Sequence, residues 1–392
     1  MRICLVTETY WPDINGVAMT LDRVFRALQA RGHEIQLVCP NNPSRQSSNV
    51  EHVSTYFEAP SFSAPGYVEV KLGYPINRVL ARLWRREPPD AIYVATEGPL
   101  GYFATRLARK LKLPIASGFH TNFQSYSTHY KLGFIRPIVE KYLVHMHNLT
   151  QRTIVPTIDQ KQLLNTMGIR DVSVIGRGID TTLFNPERRS ERLRHDWQVA
   201  PNTPVMIYVG RIAEEKNLGL TLQAYKNLKQ LEPALKFVMV GSGPAVDRIS
   251  KQYPDILLTG PKTGVSLAEH YASADFFVFS SLTETYGNVI LEAMASGIGI
   301  LAYRYAAGKI HIQHQVNGLV ATPGDEAEFL DAASQFITDP QKLDRMRAEA
   351  ARHTEHFSWT AIAEEFETVF ASLNPGPATK ALLANQKQKR FA

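Results

Sequence analysis

The sequence has few cysteines and no long apolar run. Its two cysteines, Cys4 and Cys39, fall in predicted buried strands, where a reduced thiol behaves as a small hydrophobic side chain, so a disulfide scaffold is not expected. Strand-like runs such as residues 92–94 and 276–279 are much shorter than the roughly 20 apolar residues of a membrane span. The first residues lead directly into an apolar run, without a charged leader or a cleavage site, so we expect a cytoplasmic protein.

The absence of two other sequence patterns argues against two further classes of function. No Gly-x-Gly-x-x-Gly follows the first predicted strand, which argues against a dehydrogenase. No nucleic-acid-binding module is recognisable and basic and aromatic residues do not interleave, so nucleic acid is not an expected partner. The 392 residues, of which 44% are hydrophobic, are enough for two domains with a core each.

Positive charge is concentrated in the first half of the chain. Residues 1–180 hold 21 Lys and Arg against 14 Asp and Glu, whereas the remainder holds 22 against 23. One short segment combines four arginines with three large apolar residues: Arg78, Arg82, Arg85 and Arg86 beside Leu80, Leu83 and Trp84. A basic face with an exposed aromatic side chain predicts contact with an anionic membrane surface, which would place the protein at the inner face of the cell membrane as a peripheral protein. An ordinary solvated helix has the same composition, and both interpretations stay open.

Predicted strands and helices alternate in two series. The first series has strands at 2–7, 34–39, 91–95 and 115–118 and helices at 16–30 and 100–111, interrupted by a less regular stretch at 41–74. The second has strands at 205–209, 236–240, 256–258 and 276–279 and helices at 218–231, 267–273 and 288–295. This alternation predicts an α/β protein with two Rossmann-like domains, each a doubly wound parallel sheet. The irregular segment 176–204 between them is the expected hinge.

The most specific motif spans residues 283–297 (TETYGNVILEAMASG) and holds two glutamates eight residues apart. A helix that begins near Gly287 directs unpaired backbone N–H groups and its positive dipole end toward a ligand, which suits a diphosphate. Glu284 can accept hydrogen bonds from sugar hydroxyls, and Glu292, about two turns further on, can accept them from a ribose diol. An isolated pair of glutamates is more often a helix cap and a solvated helix residue.

A second motif, residues 209–217 (VGRIAEEKN), follows a predicted buried strand and opens the next helix. Arg211 and Lys216 supply two cations where the strands of a doubly wound sheet end, which is the usual ligand crevice. Because negative charge builds on a departing diphosphate, fixed cations there stabilise the transition state more than the ground state. By themselves, an arginine and a lysine near a helix start are more often surface residues.

Two shorter signals lie in the first half. Residues 15–17 (NGV) open the first long helix, where Gly16 lets a phosphate approach the backbone closely, although an ordinary helix start fits equally well. Residues 119–122 (FHTN) follow a predicted buried strand. His120 can reach a ligand from there, but a lone histidine is usually structural.

Together these motifs resemble the family-four retaining glycosyltransferases, which have the GT-B fold, and the likeness extends over about residues 1–373. The matching stretches are residues 120–123 (HTNF), 177–180 (RGID), 284–297 and 317–320 (NGLV). The sequence looks most similar to bacterial GDP-mannose-dependent α-mannosyltransferases and to sulfoquinovosyl- and glucosyl-diacylglycerol synthases.

The resemblance implies two Rossmann-like domains that face a cleft. We therefore expect an acceptor-binding domain at 1–176 and a nucleotide-sugar-binding domain at 177–356. Residues 357–373 have the apolar spacing of an amphipathic helix, and such folds send this helix back to the first domain. Residues 374–392 begin with Asn-Pro-Gly-Pro, which ends any helix, and continue into a basic stretch, so they are expected to be a disordered tail.

The resemblance also implies roles for individual residues. Gly16 would face the donor phosphates and His120 the transferred sugar, whereas Arg211 and Lys216 would bind the diphosphate. The acidic residues and the backbone between them would complete the donor site: Glu284 on the sugar hydroxyls, Glu292 on the ribose, and Tyr286, Gly287 and Asn288 along the phosphate and sugar. The expected catalytic set is His120, Arg211, Lys216 and Glu284.

The implied activity is transfer of a mannose- or glucose-type hexose from GDP-mannose or a UDP-hexose, with retention, to an acceptor. We expect a lipid or glycolipid acceptor; a soluble saccharide acceptor and a non-catalytic sugar-nucleotide-binding protein are the alternatives. No Asp-x-Asp occurs in the chain, in keeping with a fold that uses side-chain cations and helix dipoles, so we predict neither a metal requirement nor a cofactor. The family often has proline where Gly299 stands, which puts the rigidity of a turn in doubt but not the chemistry.

Overall fold

A computed structural model describes residues 1–13, 15–42, 51–64, 67–120 and 136–373. The chain divides into two compact units, one made of Met1–Gly178 with Trp359–Ala392 and the other of Ile179–Ser358. Residues 121–123 of the HTNF stretch and the tail expected at 374–392 lie outside the described residues. Within the ranges given, no helix has both the length and the apolarity that spanning a bilayer requires.

The first unit is built on a parallel sheet. Its strands are β1 (Arg2–Val6), β2 (Glu34–Pro40), β3 (Thr55–Ala59), β4 (Ser61–Ala64), β5 (Tyr67–Gly73), β6 (Ala91–Val94), β7 (Ile115–Gly118), β8 (Arg152–Val155) and β9 (Val172–Val174). Seven of them form one parallel sheet in the order β3-β2-β1-β6-β7-β8-β9, and β4 pairs with β5 in an antiparallel hairpin. The stretch at 41–74, expected to be less regular, thus supplies an edge strand and a hairpin.

Helices cover both faces of this sheet: α1 (Gly16–Ala30), α2 (Asn77–Arg86), α3 (Pro99–Lys110), α4 (Arg136–His147) and α5 (Ile158–Met167), together with the chain's last described helix, Trp359–Leu373. Alternate residues of a strand point to opposite faces. Accordingly, Ile3 and Leu5 pack in the core that includes α1 and the last helix, whereas Cys4 and Val6 pack in the core that includes α2 and α3.

Trp84 lies inside the second of these cores. It is 2% exposed and packs together with Leu80 and Leu83 of α2. The expectation of an exposed aromatic side chain on this basic helix is therefore wrong, because all three large apolar residues fall on the face that turns toward the sheet. The four arginines of the segment occupy the opposite, exposed face.

The second unit repeats the doubly wound plan. Its strands are β10 (Val205–Val209), β11 (Lys236–Val240), β12 (Leu257–Gly260), β13 (Phe276–Phe279), β14 (Gly299–Tyr303) and β15 (Leu319–Ala321), all parallel in the order β12-β11-β10-β13-β14-β15. Its helices are α6 (Glu191–Asp196), α7 (Leu218–Leu231), α8 (Val246–Gln252), α9 (Gly264–Ser273), α10 (Asn288–Ala295), α11 (Ala306–His311), α12 (Glu326–Thr338) and α13 (Pro340–Thr354). The prediction of two Rossmann-like parallel-sheet domains is confirmed.

The last helix, α14 (Trp359–Leu373), belongs to the first unit, as the fold prediction requires. Phe366 and Phe370 contact the ring of Tyr93 in β6, with ring centroids 5.5 and 5.9 Å away. At its outer side, Glu367 accepts hydrogen bonds from Arg31 and from His33 at 2.7 and 2.6 Å. The helix is thus held by both apolar and charged contacts.

Gly299 is the first residue of β14 and not part of a turn, in contrast to the expectation for this position. A Cβ atom there would lie 2.3 Å from Leu343 Cδ1, so the neighbouring helix α13 fills the space that a larger residue would need. The turn itself is made by Gly297, whose φ of +64° lies in the left-handed region.

Candidate active site

The second unit has a topological switch point between β10 and β13. The strand order runs outward from this pair in both directions, and ligands of doubly wound sheets bind outside the carboxyl ends of such a pair. The loop after β10 carries Arg211 and Lys216, and the loop after β13 carries Glu284. The fold therefore brings the two main sequence motifs to one edge of one sheet.

Lys216 and Glu284 meet directly at this edge. Lys216 Nζ lies 2.5 Å from Glu284 Oε1, and each side chain is 18% exposed. Ser281 donates a second hydrogen bond to the same carboxylate oxygen at 2.8 Å. A charge-assisted pair with an additional donor is well fixed in position, so the cation expected at the diphosphate and the acid expected at the sugar form one preassembled group.

Further hydrogen bonds join the two loops. The Thr283 hydroxyl donates to the backbone oxygen of Glu215 at 2.9 Å, and the Tyr305 hydroxyl donates to that of Glu284 at 2.9 Å. Tyr305 follows β14, the next strand of the sheet. Three consecutive strand ends thus contribute to the position of Glu284.

Arg211 is more exposed than Lys216. Its side chain is 47% accessible, and Nη1 lies 2.8 Å from Oε1 of Glu215, four residues along the chain. The Tyr208 hydroxyl donates to the backbone oxygen of Arg211 at 2.9 Å. The loop backbone is therefore anchored, while the guanidinium lies at the surface in contact with an acid.

Helix α10 begins at this edge as the sequence predicts. Its N-cap is Gly287, which has a φ of +94°, and among the described residues no side chain caps the helix. An uncapped N-terminus with the positive end of the dipole is a suitable binding element for an anionic group. Asn288 is the first residue of the helix.

Tyr286, next to this N-cap, is a buried residue that supports the loop. Its hydroxyl lies 2.6 Å from His311 Nε2, and its backbone oxygen accepts a hydrogen bond from Ala307 N at 2.8 Å. Burial lowers the pKa of His311 to about 4, and the neighbouring His353 contributes in the same direction. His311 is therefore neutral near pH 7 and keeps Tyr286 in place without adding charge.

Glu292 lies on α10, one turn beyond Asn288. It accepts a hydrogen bond from the hydroxyl of Tyr271 at 3.0 Å. Tyr271 is fully buried in α9, and burial raises the pKa of its hydroxyl, an effect that the Glu292 carboxylate reinforces. The hydroxyl therefore stays protonated and orients the carboxylate.

One loop of the site has no counterpart in the sequence prediction. Gly241 and Gly243 follow β11, and a Cβ on either would lie 1.9 Å from Gly210 O or 2.3 Å from Ile212 O. Backbone hydrogen bonds from Gly210 N to Val240 O and from Ile212 N to Ser242 O join the two loops at 3.0 and 2.9 Å. This close packing requires glycine and supports the Arg211 loop. Two glycines separated by one residue, directly after a predicted buried strand, are the sequence signal from which this loop could have been predicted.

His120 lies in the first unit, two residues beyond β7, and is 6% exposed. Arg177 Nη2 lies 2.9 Å from its Nδ1, and Tyr93 Oη lies 2.9 Å from its Nε2. Burial lowers the pKa of His120 well below the usual range, and the Arg177 guanidinium and His147 act in the same direction. The ring is therefore neutral and hydrogen-bonded on both sides.

Gly16, also in the first unit, is the first residue of α1. The side chain of Asn15 caps this helix by accepting hydrogen bonds from the backbone of Val17 and Ala18, at 3.1 and 2.9 Å. Apart from the residues on either side of Gly16 and the backbone of its own helix, no described atom lies within 4 Å of the place where a Gly16 Cβ would stand. The space beside Gly16 is thus consistent with close approach of a ligand to the backbone.

The structure thus gathers Arg211, Lys216, Glu284 and the start of α10 at the switch point of the second unit. Glu292 lies further along the same helix. His120 and Gly16 belong to the first unit.

Two family models match most of the chain. The model described as Glycosyltransferase Family 4 matches residues 14–183, and the model described as Glycosyl transferases group 1 matches residues 189–353.

Curated relatives match along three quarters of the chain or more. A GDP-mannose-dependent alpha-mannosyltransferase of Corynebacterium glutamicum is 30% identical, with 95% of this chain and 89% of the relative covered. A protein of the same name from Mycolicibacterium smegmatis is 33% identical, with 77% and 79% covered. Sulfoquinovosyl transferase SQD2 of Arabidopsis thaliana is 28% identical, with 92% and 71% covered.

Solved structures agree in fold. Anabaena HepE in complex with UDP superposes with a TM-score of 0.74 at 17% identity, over 95% of this chain and 100% of that chain. Sucrose-phosphate synthase from Thermosynechococcus elongatus gives a TM-score of 0.76 at 16% identity, over 95% and 98%.

Proposed function

The chain belongs to the family-four glycosyltransferases and is a retaining hexosyltransferase, and from that premise we propose that it transfers mannose from GDP-mannose to a lipid acceptor at an anionic membrane surface. The relatives with 30% identity or more carry GDP-mannose in their names. Relatives at 27–28% include a sulfoquinovosyl transferase and an alpha-monoglucosyldiacylglycerol synthase. GDP-mannose is therefore the favoured donor, and a UDP-hexose is the competing one.

The observation that carries the donor site is the ion pair of Lys216 with Glu284, three residues before the N-cap of α10, at the sheet edge whose other loop carries Arg211. In this proposal both cations and the helix end bind the diphosphate. They act most strongly when the bond to the sugar breaks, because negative charge then accumulates on the leaving phosphate. Gly16 of the first unit allows the donor phosphates to approach the backbone.

The acids recognise the neutral parts of the donor. Glu284 binds hydroxyls of the transferred sugar, and Glu292 binds the ribose, since carboxylates are strong acceptors for hydroxyl groups. The backbone of Tyr286, Gly287 and Asn288 lines the phosphate and sugar. His120 faces the transferred sugar.

Retention follows from a front-face reaction. The bond from the sugar's anomeric carbon to the phosphate oxygen breaks, and the bond to the acceptor oxygen forms on the same face of the ring. The acceptor proton passes to the leaving phosphate, so no enzyme nucleophile and no separate base is required. Lys216 and Arg211 stabilise the diphosphate product.

A thermal-shift panel tests the donor assignment. A ligand that binds only the folded state raises the melting temperature as its concentration exceeds the dissociation constant. We expect GDP-mannose to stabilise the protein more than GDP alone, UDP-glucose or UDP, and Lys216→Ala to reduce the shift. Stabilisation by UDP-glucose but not by GDP-mannose would transfer the assignment to a glucosyl donor.

The acceptor assignment rests on a surface that we call the basic face, formed by the outer sides of α2, α3 and α4. Helices α2 and α3 contact each other, and the ring centroids of Tyr102 in α3 and Tyr142 in α4 lie 5.6 Å apart in a tilted arrangement. The exposed cations of this face are Arg78, Arg82, Arg85, Arg86, Arg106, Arg109, Lys110 and Lys141.

Three apolar side chains accompany these cations: Val79, Phe103 and Ile138 are 42%, 36% and 69% exposed, one on each helix. Cations with interspersed exposed apolar groups are suited to the headgroup region of an anionic bilayer. The anchor in this proposal is therefore Val79, Phe103 and Ile138, in place of the buried Trp84.

Sedimentation with vesicles tests this surface. We expect binding at low salt to vesicles that contain phosphatidylglycerol and not to pure phosphatidylcholine. Because each cation near such a surface contributes about 1 kcal/mol, the double variant Arg82→Glu, Arg85→Glu should weaken binding by about thirtyfold or more. Arg345→Glu, on exposed α13 of the other unit, is the matched control. Failure of the unmodified protein to sediment would favour a soluble saccharide acceptor.

A further inference from the structure

We propose that Arg177 is a positioning residue that fixes His120 as a neutral imidazole with its proton on Nε2, so that His120 contributes to the sugar site by its place and not by proton transfer. The inference rests on the proposed role of His120 at the transferred sugar. It assigns a role to the RGID stretch, for which neither the motif nor the resemblance supplies one.

The hydrogen-bond donors and acceptors around the His120 ring determine its tautomer. A guanidinium carries only donors, so an Arg177 Nη2 that lies 2.9 Å from His120 Nδ1 requires this nitrogen to be the acceptor. A neutral imidazole then has its single proton on Nε2. Tyr93 Oη, 2.9 Å from Nε2, accepts this hydrogen bond.

The arrangement is enclosed on every side that the structure describes. Tyr93, Arg177 and His120 are 0%, 5% and 6% exposed. Gly118 completes the fit, since a Cβ there would lie 2.2 Å from Tyr93 Oη and 2.5 Å from His120 Nε2. The opposite tautomer would place an Nδ1–H against the guanidinium, which has no acceptor to offer.

The groups that face His120 also oppose its protonation. The nearest charge is the Arg177 cation, and His147 of α4 adds to the same effect. The carboxylate of Glu97 acts on Tyr93 and stands 3.6 Å from His147 Nε2. A second proton on His120 would meet a buried guanidinium at hydrogen-bond distance, so the neutral ring persists throughout the neutral pH range.

Both ring nitrogens are thus committed to protein partners. A histidine in this state cannot remove a proton from an acceptor, because its only lone pair in the ring plane is directed at Arg177. This agrees with a front-face reaction in which the leaving phosphate takes the proton. The ring instead fixes the backbone at the end of β7, from which the chain continues into residues 121–135.

Nitrogen NMR tests the tautomer without any assay of activity. In protein labelled with ¹⁵N-histidine, a long-range ¹H–¹⁵N spectrum should show His120, assigned by its loss in His120→Gln, as one neutral Nε2–H tautomer between about pH 6 and pH 8. The Nδ1–H tautomer or an imidazolium in the unmodified protein would overturn the proposal.

Variants of Arg177 test its part in the reaction. Because hydrogen bonds to charged groups are the stronger ones, Arg177→Met should lower kcat by about tenfold to a hundredfold, with a much smaller change in KM for the donor. The His120 signal should gain a second tautomer or titrate in the accessible pH range, and kcat should then fall as the pH is lowered. Arg177→Lys, which keeps a cationic donor, should recover part of both the spectrum and kcat.

The outcomes separate the inference from the proposed function. An Arg177→Met protein that folds, by circular dichroism, with an unchanged His120 spectrum or unchanged kcat would contradict the positioning role. An absence of turnover with every sugar nucleotide in the unmodified protein would contradict the proposed function instead. The NMR spectrum would still determine the tautomer of His120, because it does not depend on activity.

Discussion

Lys216 and Glu284 form a direct ion pair, with 2.5 Å between Nζ and Oε1, although 68 residues separate them in the sequence. The pair joins the loops after the two central strands of the second sheet. A donor that uses both groups has to insert its diphosphate and sugar around an existing contact. The site is therefore held in its shape by the same side chains that we propose to bind the ligand.

Removal of the lysine tests the stabilisation of the leaving group. We expect Lys216→Ala to lower kcat by about a hundredfold to a thousandfold, the range found when one fixed electrostatic donor is removed from a transition-state site. Lys251→Ala, at an exposed position of α8, should leave kcat unchanged. Unaltered turnover in both Lys216→Ala and Arg211→Ala, measured with the preferred donor, would refute diphosphate binding by these residues.

In the proposed donor site, Glu215 and the diphosphate would compete for Arg211. Since the exposed pair between Arg211 and Glu215 has to open when a diphosphate binds, Glu215→Gln should lower KM for the donor by about twofold to fivefold. The neighbouring Glu214→Gln, which breaks a pair with Arg248 instead, should not change KM. The gain should also vanish when Arg211→Ala is combined with Glu215→Gln. An additive gain in that double variant would contradict the competition.

Tyr271 orients the proposed ribose acceptor. Tyr271→Phe keeps the buried ring but removes the hydrogen bond to Glu292, so we expect KM for the donor to rise by about tenfold while kcat changes little. Tyr253→Phe, at the end of α8, removes a hydroxyl remote from the switch point and is the control. Equal effects of the two substitutions on KM would exclude a specific role for Tyr271.

Glu8 makes the stability of the first unit depend on pH. Burial raises its pKa to about 7, although backbone N–H groups of Gly73, Leu100 and Gly101 donate to it and oppose the shift. Between about pH 4.5 and pH 7 the folded state keeps a proton that the unfolded state has lost, so the free energy of unfolding should fall as the pH rises, by roughly 1 to 3 kcal/mol.

Denaturant unfolding at pH 5 and pH 8 measures this dependence. In Glu8→Gln the part of the pH dependence of the free energy of unfolding that comes from Glu8 should be missing, whatever the absolute stability of the variant. Glu367 has the opposite sign, because its hydrogen bonds from Arg31 and His33 lower its pKa to about 2, and the stability that it contributes is lost only as the pH falls below about 4.5. If the free energy of unfolding changed by the same amount between pH 5 and pH 8 in the unmodified protein and in Glu8→Gln, the assignment of this pH dependence to Glu8 would be contradicted.

Chelation tests the prediction of a metal-independent reaction. The groups that we propose to face the leaving diphosphate are side-chain cations and a helix end, so EDTA should leave turnover unchanged after dialysis against it. A loss of activity that Mg²⁺ or Mn²⁺ restores would show that a divalent cation takes over part of the role proposed for Lys216 and Arg211.

Strongly periodic segments could be predicted from the sequence, down to their ends. The bounds of β10, α7 and α10 agree with the prediction because each is a continuous apolar run or a regular amphipathic pattern between clear breaks. Strand β3 gave no such signal. It lies at the sheet edge, where four of its five residues are partly or fully exposed, and an edge strand needs no apolar alternation.

The candidate site shows the same limit. The two motifs at the switch point could be recognised because their residues lie close together in the sequence. Tyr271 and the role of Arg177 within the RGID stretch could not be recognised, since each acts through a contact with a residue 21 or 57 positions away. Trp84 was placed on the wrong face for a related reason: composition alone does not determine which side of a short helix packs against the sheet.

The helix α14 has a consequence for biosynthesis. Because Phe366 and Phe370 pack on Tyr93, the core of the first unit is completed by residues that are synthesised after the whole of the second unit. The second unit, continuous from residue 179 to 358, has all its own chain available earlier. During translation, part of the apolar interior of the first unit therefore stays exposed until α14 has been synthesised. Exposed apolar surface of this kind is a binding site for chaperones.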